Sequence, residues 1–378
     1  MNPKRLTELW NAIIYPPEGW EGNLHFHTKD DHHIRYGYAP AYGGQKEGCD
    51  TRGAVVLTHG YGEDIDLYYE TIKRYQSMGY DVFAMDWHAQ GASGRSNPKN
   101  LKQPSLEGME RHVNDLDVLA RHIVKPHNKD KPLIMSSNSM GGHVGMLYMH
   151  EHPDIFDGAV LSAPMLDVKT LGLPKKIFKP VMRVLFNFMS FAGLGHMKVA
   201  KDWHSLEEVE KKNAHNEGAL DKPVNARKEI SQLLGRMNED QRLHVPTFGW
   251  IQSTFKTTDK IMTKEFLEDI KIPVLIGSAG DESFVDNEAH ELAAKIMPQG
   301  RHVLIPDADH TLWQELGKNY DTWWSHVETL VRDVEERVSS QRNLEEKPWD
   351  YEREEDKNPA DEFCLIPKDQ NTHRPQHP

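Results

Sequence analysis

The chain contains very little cysteine. Its 378 residues include only Cys49 and Cys364, which lie far apart in the sequence. This spacing excludes a disulfide framework and a metal site built on cysteine pairs. The first ten residues lack the apolar core of a signal peptide. The most apolar long segment, residues 177–192, is interrupted by basic residues, a proline and an asparagine, so no membrane-spanning helix is expected. We predict a soluble, cytoplasmic protein.

The sequence also lacks an excess of basic residues. Its 45 lysines and arginines face 58 aspartates and glutamates, which gives a formal charge of -13. Nucleic acid would be repelled by this charge rather than bound through counterion release, so no nucleic-acid partner is predicted. Tight binding to an anionic membrane is disfavoured for the same reason, although brief contact through an apolar patch is allowed. The glycine-rich turns contain neither Gly-x-Gly-x-x-Gly nor a P-loop lysine, so no cofactor is predicted.

A hairpin predicted over residues 23–39 carries four histidines: His25, His27, His32 and His33. Alternate residues of one strand share a face, so metal ligation is geometrically possible there. The segment has no cysteine and no helical histidine pair, which zinc sites commonly use. We therefore predict a solvated strand face and no metal site.

What the sequence does contain is a regular alternation of short apolar runs and segments with helical spacing. The runs are almost wholly hydrophobic, as are strands of a parallel sheet covered on both faces. They comprise residues 54–58, 80–85, 133–135, 158–161, 273–277 and 302–305. A closing helix is predicted over residues 313–338. The pattern predicts an α/β fold with a mostly parallel central sheet flanked by helices.

The clearest chemical signal is a serine among small residues where a predicted strand meets a predicted helix. The segment Ser137 to Gly141 matches the nucleophile-elbow pattern Gly-x-Ser-x-Gly, with Ser137 replacing the first glycine and Ser139 at the centre. Small residues are needed because strand and helix pass close together. The turn holds Ser139 in a strained conformation that presents its hydroxyl. Taken alone, the pattern also fits a Ser/Gly-rich loop between two core elements.

A serine nucleophile needs a base that takes its proton and an acid that orients the base. In α/β hydrolases the chain order is serine, acid, histidine. Asp281 and Glu282 follow the predicted strand 273–277, and His310 follows the predicted strand 302–305. We therefore predict His310 as the base and one of the two carboxylates as the acid.

The strand–helix alternation stops between residues 165 and 262, and we call these residues the inserted segment. Its mostly helical, partly apolar character predicts a lid over the site. Ile177, Val181, Leu185 and Phe188 form an apolar stripe at helical spacing and are predicted to contact an acyl chain; the alternative is that they pack on the core.

The domain organisation follows from this insertion. Residues 1–164 and 263–338 are predicted to form the two parts of the hydrolase core. Residues 339–378 are charged and carry no sustained periodicity. They are predicted to be a flexible tail.

Together these motifs resemble the monoacylglycerol lipase and bacterial lysophospholipase group of α/β hydrolases. The resemblance covers about residues 20–338 and is carried by His59-Gly60-Tyr61-Gly62-Glu63, Asp86-Trp87-His88-Ala89-Gln90-Gly91-Ala92-Ser93, Ser139-Met140-Gly141-Gly142-His143, Ser162-Ala163-Pro164-Met165, Pro246-Thr247-Phe248-Gly249-Trp250 and His310. It implies an α/β-hydrolase fold with an inserted helical lid. It also implies an oxyanion hole formed by the backbone N–H groups of Tyr61 and Met140.

The resemblance bears on the choice of acid. Members of this group place the acid four residues before an aspartate that matches Asp286, which selects Glu282. Aspartate is the commoner triad acid, which favours Asp281. We take Glu282 as the first choice and keep Asp281 as the alternative.

The predicted function is a serine esterase that cleaves a fatty-acyl ester of a monoacylglycerol or a lysophospholipid, with transient membrane contact through the lid. One alternative is an aminopeptidase-type serine peptidase, which requires a carboxylate that holds the substrate ammonium group. Glu207, Glu208 and Glu210 of the inserted segment are candidates for it. The other alternative is a non-catalytic binding protein of the same fold.

Overall fold

The computed structural model describes residues 3–42, 51–97, 100–104, 108–169, 175–199, 225–237, 243 and 245–345. Within these residues, eight strands form one sheet in the order β1-β2-β4-β3-β5-β6-β7-β8. The strands are β1 (Glu21–His27), β2 (His33–Ala39), β3 (Gly53–Thr58), β4 (Tyr80–Met85), β5 (Leu133–Asn138), β6 (Gly158–Ser162), β7 (Val274–Ala279) and β8 (Gly300–Ile305).

Helices separate most of these strands. The α-helices are α1 (Pro3–Ile14), α2 (Tyr69–Ser77), α3 (Met109–Asp117), α4 (Lys125–Asn128), α5 (Met140–Glu151), α6 (Lys175–Phe191), α7 (Ala226–Met237), α8 (Phe248–Ile261), α9 (Lys264–Asp269), α10 (Asn287–Ile296) and α11 (Gly317–Glu345). Short 3-10 helices occupy Ile65–Tyr68 and Leu312–Gln314, and π-helical turns join α3 to α4 over Val118–Val124.

The sheet is parallel from β4 through β3, β5, β6 and β7 to β8, whereas β2 pairs antiparallel with both β1 and β4. Its central strands are buried on both faces. In β3, Val56 joins the apolar cluster that includes residues of α3 and α5, and Val55 joins the cluster of α2 and α11. Apolar runs without polar alternation are expected where helices cover both faces of a sheet. The carboxyl ends of the parallel strands consequently meet at one edge.

The predicted strands are all present, with bounds that differ by at most three residues. The predicted hairpin corresponds to β1 and β2, while the predicted closing helix is divided into the 3-10 turn at Leu312–Gln314 and α11. Helix α11 continues to Glu345, so residues 339–345 of the predicted tail are helical. The rest of that tail lies outside the described residues.

The inserted segment contains α6, α7 and α8 between β6 and β7. Helix α7 packs against the N-terminal helix α1 through a small apolar cluster of Leu9, Ile13 and Ile230. Residues 200–224 of the segment, which include Glu207, Glu208 and Glu210, lie outside the described residues.

Candidate active site

Ser139 lies on the turn between β5 and α5, at the carboxyl edge of the sheet. Its backbone has φ 49° and ψ −113°, a conformation that L-residues rarely adopt and that points to a functional constraint. Close packing explains the small residues beside it: a Cβ at Gly141 would lie 2.7 Å from the Thr58 carbonyl oxygen. Ser137 fits where a glycine is usual because its hydroxyl hydrogen-bonds the Thr58 hydroxyl at 2.7 Å.

His310 follows β8 and contacts a carboxylate from the loop after β7. Its Nδ1 lies 2.8 Å from Glu282 Oε2, in a geometry that fits N–H donation to the carboxylate. The other carboxylate oxygen, Oε1, accepts backbone N–H groups of Ser283 and Phe284 at 2.7 and 2.8 Å, and that of Val285 at 3.3 Å. The arrangement holds Nδ1 of the imidazole and leaves Nε2 for proton transfer.

The environment of Glu282 keeps it ionised. Burial alone would raise the pKa of Glu282, but the hydrogen bond and charge of His310, together with the N–H groups of Phe284 and Ser283, hold that pKa below its ordinary value. Its side chain is fully buried, whereas Asp281 is exposed at the cavity rim. Of the two candidate acids, Glu282 is the one that contacts His310.

The loop after β3 lies beside Ser139 and is ordered by Glu63. The Glu63 carboxylate accepts the Gly60 N–H at 2.7 Å, the Tyr68 hydroxyl at 2.5 Å and the Asn138 side-chain amide at 3.3 Å. Because Asn138 directly precedes Ser139, this carboxylate links the loop that contains Tyr61 to the nucleophile turn. Met140 is the first residue of α5, and N–H groups of a helix's first turn have no acceptor within the helix.

One cavity of about 740 Å³ brings these groups together. Ser139, His310, Tyr61 and Glu63 all contribute to its lining. One wall is apolar and consists mainly of side chains from the inserted segment: Met165, Val168, Phe178, Phe186, Pro246, Trp250, Ile251 and Phe255. Another wall is polar and includes Lys228, Gln232, Asp309, Thr311 and Gln314. The cavity therefore has one apolar side and one polar side around the serine.

A second cavity, of about 840 Å³, lies between α6 and α8. Phe186 and Phe255 line both cavities, and their ring centroids are 5.6 Å apart. Both side chains are more than 90% buried. This aromatic pair therefore forms part of the wall that divides the two spaces.

The apolar stripe predicted to contact substrate is placed differently. Val181, Leu185 and Phe188 are 54%, 41% and 63% exposed and are absent from the lining of the cavity beside Ser139, so the structure does not place this stripe next to the serine. Helix α6 is rotated so that Phe178 and Phe186 face the cavity instead. Both faces of α6 carry apolar residues, so spacing alone does not tell which one faces inward. The side chain of Ile177 lies outside the described residues.

The histidines of the β1–β2 hairpin contact one another and nearby acids. His25 stacks on His33 with ring centroids 4.0 Å apart, and His27 Nδ1 lies 3.2 Å from Asp31 Oδ1. Across the described part of the chain, no group of three histidine, cysteine or acidic side chains has a metal-binding arrangement. Likewise, none of the helices in the ranges given above is both long enough and apolar enough to span a membrane.

Several residues of the site had no role assigned from the sequence. Glu63 and Trp250 stand inside the motifs quoted above, so those motifs could have drawn attention to them. Trp250 packs edge-on against Tyr61, with ring centroids 4.7 Å apart. Lys228 lies in a polar helix and gave no signal, because its position depends on how α7 docks on the core.

Comparison with known proteins gives consistent results. The family described as serine aminopeptidase, S33, matches residues 50–317. Lysophospholipase L2 of Escherichia coli strain K12 is 24% identical over 270 residues, which cover 68% of this chain and 74% of that protein. The putative monoglyceride lipase of Schizosaccharomyces pombe is 26% identical over 231 residues, which cover 57% of each.

The fold is shared with solved structures of low sequence identity. A soluble variant of monoglyceride lipase from Saccharomyces cerevisiae, in complex with a substrate analog, superposes with a TM-score of 0.62 at 19% identity, covering 84% of this chain and 95% of that one. Monoacylglycerol lipase from Paleococcus ferrophilus gives a TM-score of 0.55 at 17% identity, covering 79% and 98%. These likenesses bear on the fold alone.

Proposed function

The chain belongs to the serine aminopeptidase S33 family, and we propose that it cleaves a fatty-acyl ester of a lipid with Ser139, His310 and Glu282. The α/β-hydrolase fold and the resemblance to the lysophospholipase and monoacylglycerol lipase group, both predicted from the sequence, are confirmed by the family match and the shared fold. The coarser prediction of an ester hydrolase is likewise supported by relatives with those names.

The main support for the proposed triad is the hydrogen bond between Glu282 and His310. His310 and Ser139 line the same cavity. In the proposed reaction, His310 Nε2 takes the Ser139 proton as the hydroxyl attacks the ester carbonyl. Glu282 holds the ring and stabilises the imidazolium that forms. The alcohol then leaves with a proton from His310, and a water activated by the same ring releases the acid.

The oxyanion of the tetrahedral intermediate is proposed to bind the backbone N–H groups of Tyr61 and Met140. Tyr61 lines the cavity beside the serine, and Met140 begins α5, whose N-terminal dipole favours negative charge. Each such donor contributes about 3 kcal/mol to lowering the barrier. The contacts of Glu63 support this geometry because they hold the neighbouring Gly60 peptide.

The apolar wall supports a fatty-acyl substrate. Phe178, Phe186, Trp250 and Phe255 line the cavity together with the serine, and apolar side chains of this kind bury an acyl chain favourably. We propose that the inserted segment acts as the lid that supplies this wall.

The exposed face of α6 supports the proposed contact with lipid surfaces. Val181, Val184, Leu185, Phe188 and Phe191 are 41–91% exposed along this helix. A large exposed apolar patch marks an interaction site, and an apolar helix face can enter the interfacial region of a bilayer. Transient adsorption would bring the cavity close to its lipid substrate.

A fluorophosphonate probe tests the nucleophile. We expect the wild type to be labelled and Ser139→Ala to be neither labelled nor active. The matched control is Ser283→Ala, since Ser283 lines the same cavity and its backbone N–H, which contacts Glu282, is kept. Labelling that persists in Ser139→Ala would contradict the assignment, and an unlabelled wild type would favour the binding-protein alternative.

Turnover then separates the enzyme classes. We expect hydrolysis of monoacylglycerol or lysophosphatidylcholine, with no cleavage of aminoacyl amides. If the protein cleaved the aminoacyl amides and neither lipid, the esterase proposal would be wrong and the peptidase alternative would be favoured.

A further inference from the structure

Helix α7 places one lysine in the polar wall of the catalytic cavity. Lys228 Nζ forms an ion pair with Asp309, the residue before His310, and lies 2.9 Å from Glu315 Oε1. Glu315 Oε1 also accepts the backbone N–H of Asp309 at 3.0 Å. The Lys228 and Glu315 side chains are only 17% and 10% exposed, so this pair is largely shielded from water, whereas the Asp309 side chain is 55% exposed.

The neighbouring contacts fix α7 on the core. Arg227 pairs with Glu70 at 2.9 Å, donates to the Glu315 carbonyl oxygen at 2.7 Å and lies 3.9 Å from the centre of the Tyr320 ring. Bidentate guanidinium–carboxylate contacts are geometrically specific. The Lys228 ammonium is therefore held between its two carboxylates and has little freedom to turn towards a substrate.

The charge of the wall follows from this arrangement. Among the described residues that line the cavity, Lys228 is the single lysine or arginine, and three carboxyl side chains, Glu63, Asp281 and Asp309, accompany it. Glu315 directly behind Lys228 adds another. The charge of Lys228 is thus compensated by carboxylates before any ligand binds. Among the described lining residues, the polar wall therefore has no unpaired lysine or arginine that could bind an anion.

We propose that this wall selects an uncharged, hydroxyl-bearing head group and rejects a phosphate. The inference rests on the proposed esterase function and refines it, because it favours a glycerol ester over a phosphate-bearing lysolipid. Gln232 and Gln314 supply amide groups that can donate to and accept from hydroxyls in the same wall. A phosphate monoester would instead place negative charge against carboxylates without a free counter-ion, which is strongly disfavoured.

The test compares kcat/KM for a monoacylglycerol and a lysophosphatidate with the same acyl chain. We expect the wild type to prefer the monoacylglycerol by about 100-fold, on the scale of a like-charge contact. Glu315→Gln retains an oxygen for the Asp309 N–H but removes one of the two charges that neutralise Lys228. It should lower that preference about tenfold. The ratio within each variant cancels any general loss of activity.

Glu335→Gln is the matched control, because Glu335 is, like Glu315, a largely buried glutamate in an ion pair. Its partners are an arginine and a tyrosine hydroxyl that donates a hydrogen bond to it, and it does not line the cavity. It should keep the wild-type ratio. Equal wild-type rates on the two lipids would overturn the inference, as would a folded Glu315→Gln with an unchanged ratio. Lysophosphatidylcholine cleaved as well as the monoacylglycerol would also overturn it. Failure of the proposed function differs from these outcomes, since it gives no turnover of any lipid ester.

Discussion

Exchanging each candidate acid for its amide tests the geometry behind His310. In Glu282→Gln, the amide oxygen still accepts the backbone N–H groups of the loop that now bind Oε1. The amide NH₂ then faces His310 Nδ1, where the wild type has the carboxylate oxygen at 2.8 Å. To avoid two opposed donors, the imidazole must carry its proton on Nε2. In that tautomer it cannot accept the proton of Ser139.

The cost of the wrong tautomer can be taken from serine hydrolases in general. Replacing the triad acid by its amide lowers kcat by about 10⁴-fold, which corresponds to about 5 kcal/mol. Asp281→Asn alters an exposed side chain and should change kcat by no more than about threefold, the scale of a 0.5 kcal/mol surface effect. The two neighbouring positions should therefore differ by more than three orders of magnitude.

The assay measures kcat and KM on a chromogenic short-chain ester, with thermal unfolding followed for each variant. The pKa of Glu282 lies below its ordinary value in the folded protein, so the wild type has this stabilisation at neutral pH and loses it as the pH falls through that lower pKa. The Gln variant should lack this acid-dependent loss. A large fall in kcat for Asp281→Asn, with Glu282→Gln nearly active, would refute the assignment.

Three further predictions concern the cavity wall, the core and the exposed helix face. Phe186→Ala or Phe255→Ala should join the two cavities and shift kcat/KM towards longer acyl chains across a series of esters; an unchanged chain-length profile would contradict this division. Burial and the charges of neighbouring aspartates raise the pKa of Asp64 in the folded protein. The free energy of unfolding therefore decreases as the pH rises from the ordinary pKa of an aspartate towards this raised pKa, because the unfolded chain ionises Asp64 first. Asp64→Asn keeps the cap of the following 3-10 helix and should have a higher Tm than the wild type at pH 8, but not at pH 4. Leu185→Ser with Phe188→Ser should weaken sedimentation with neutral phosphatidylcholine vesicles, while hydrolysis of a soluble ester stays near the wild-type rate.

The strands and the nucleophile turn could be predicted because the residues that form them are constrained locally. A strand buried on both faces must be apolar throughout, as Val55 and Val56 illustrate by packing on opposite faces. The elbow needs a residue without a large side chain at Gly141, where a neighbouring carbonyl leaves no room. Local constraints of this kind can be recognised in a single sequence.

The face of α6 that points inward and the position of α7 on the core could not be predicted in the same way. Helix α6 is apolar on more than one side, so its inward face depends on Phe186 meeting Phe248 and Phe255 of α8, a contact between residues distant in the sequence. Helix α7 is held by Arg227 on Glu70, a partner 157 residues away. Periodicity describes one helix at a time and contains no information about such pairs.

The facing of α6 and the docking of α7 together define what the sequence motifs leave open. Apart from Pro246 to Trp250 at the start of α8, the motifs lie at the strand ends, where the reaction with the ester carbonyl is common to every substrate of the group. We expect selectivity to depend instead on the walls, of which α6 and α8 supply apolar side chains and α7 supplies Lys228. Because the inserted segment provides the apolar wall and, through Lys228 and Gln232, part of the polar wall, substitutions there should change which ester is cleaved, whereas substitutions at Ser139 or His310 should remove cleavage of all esters alike.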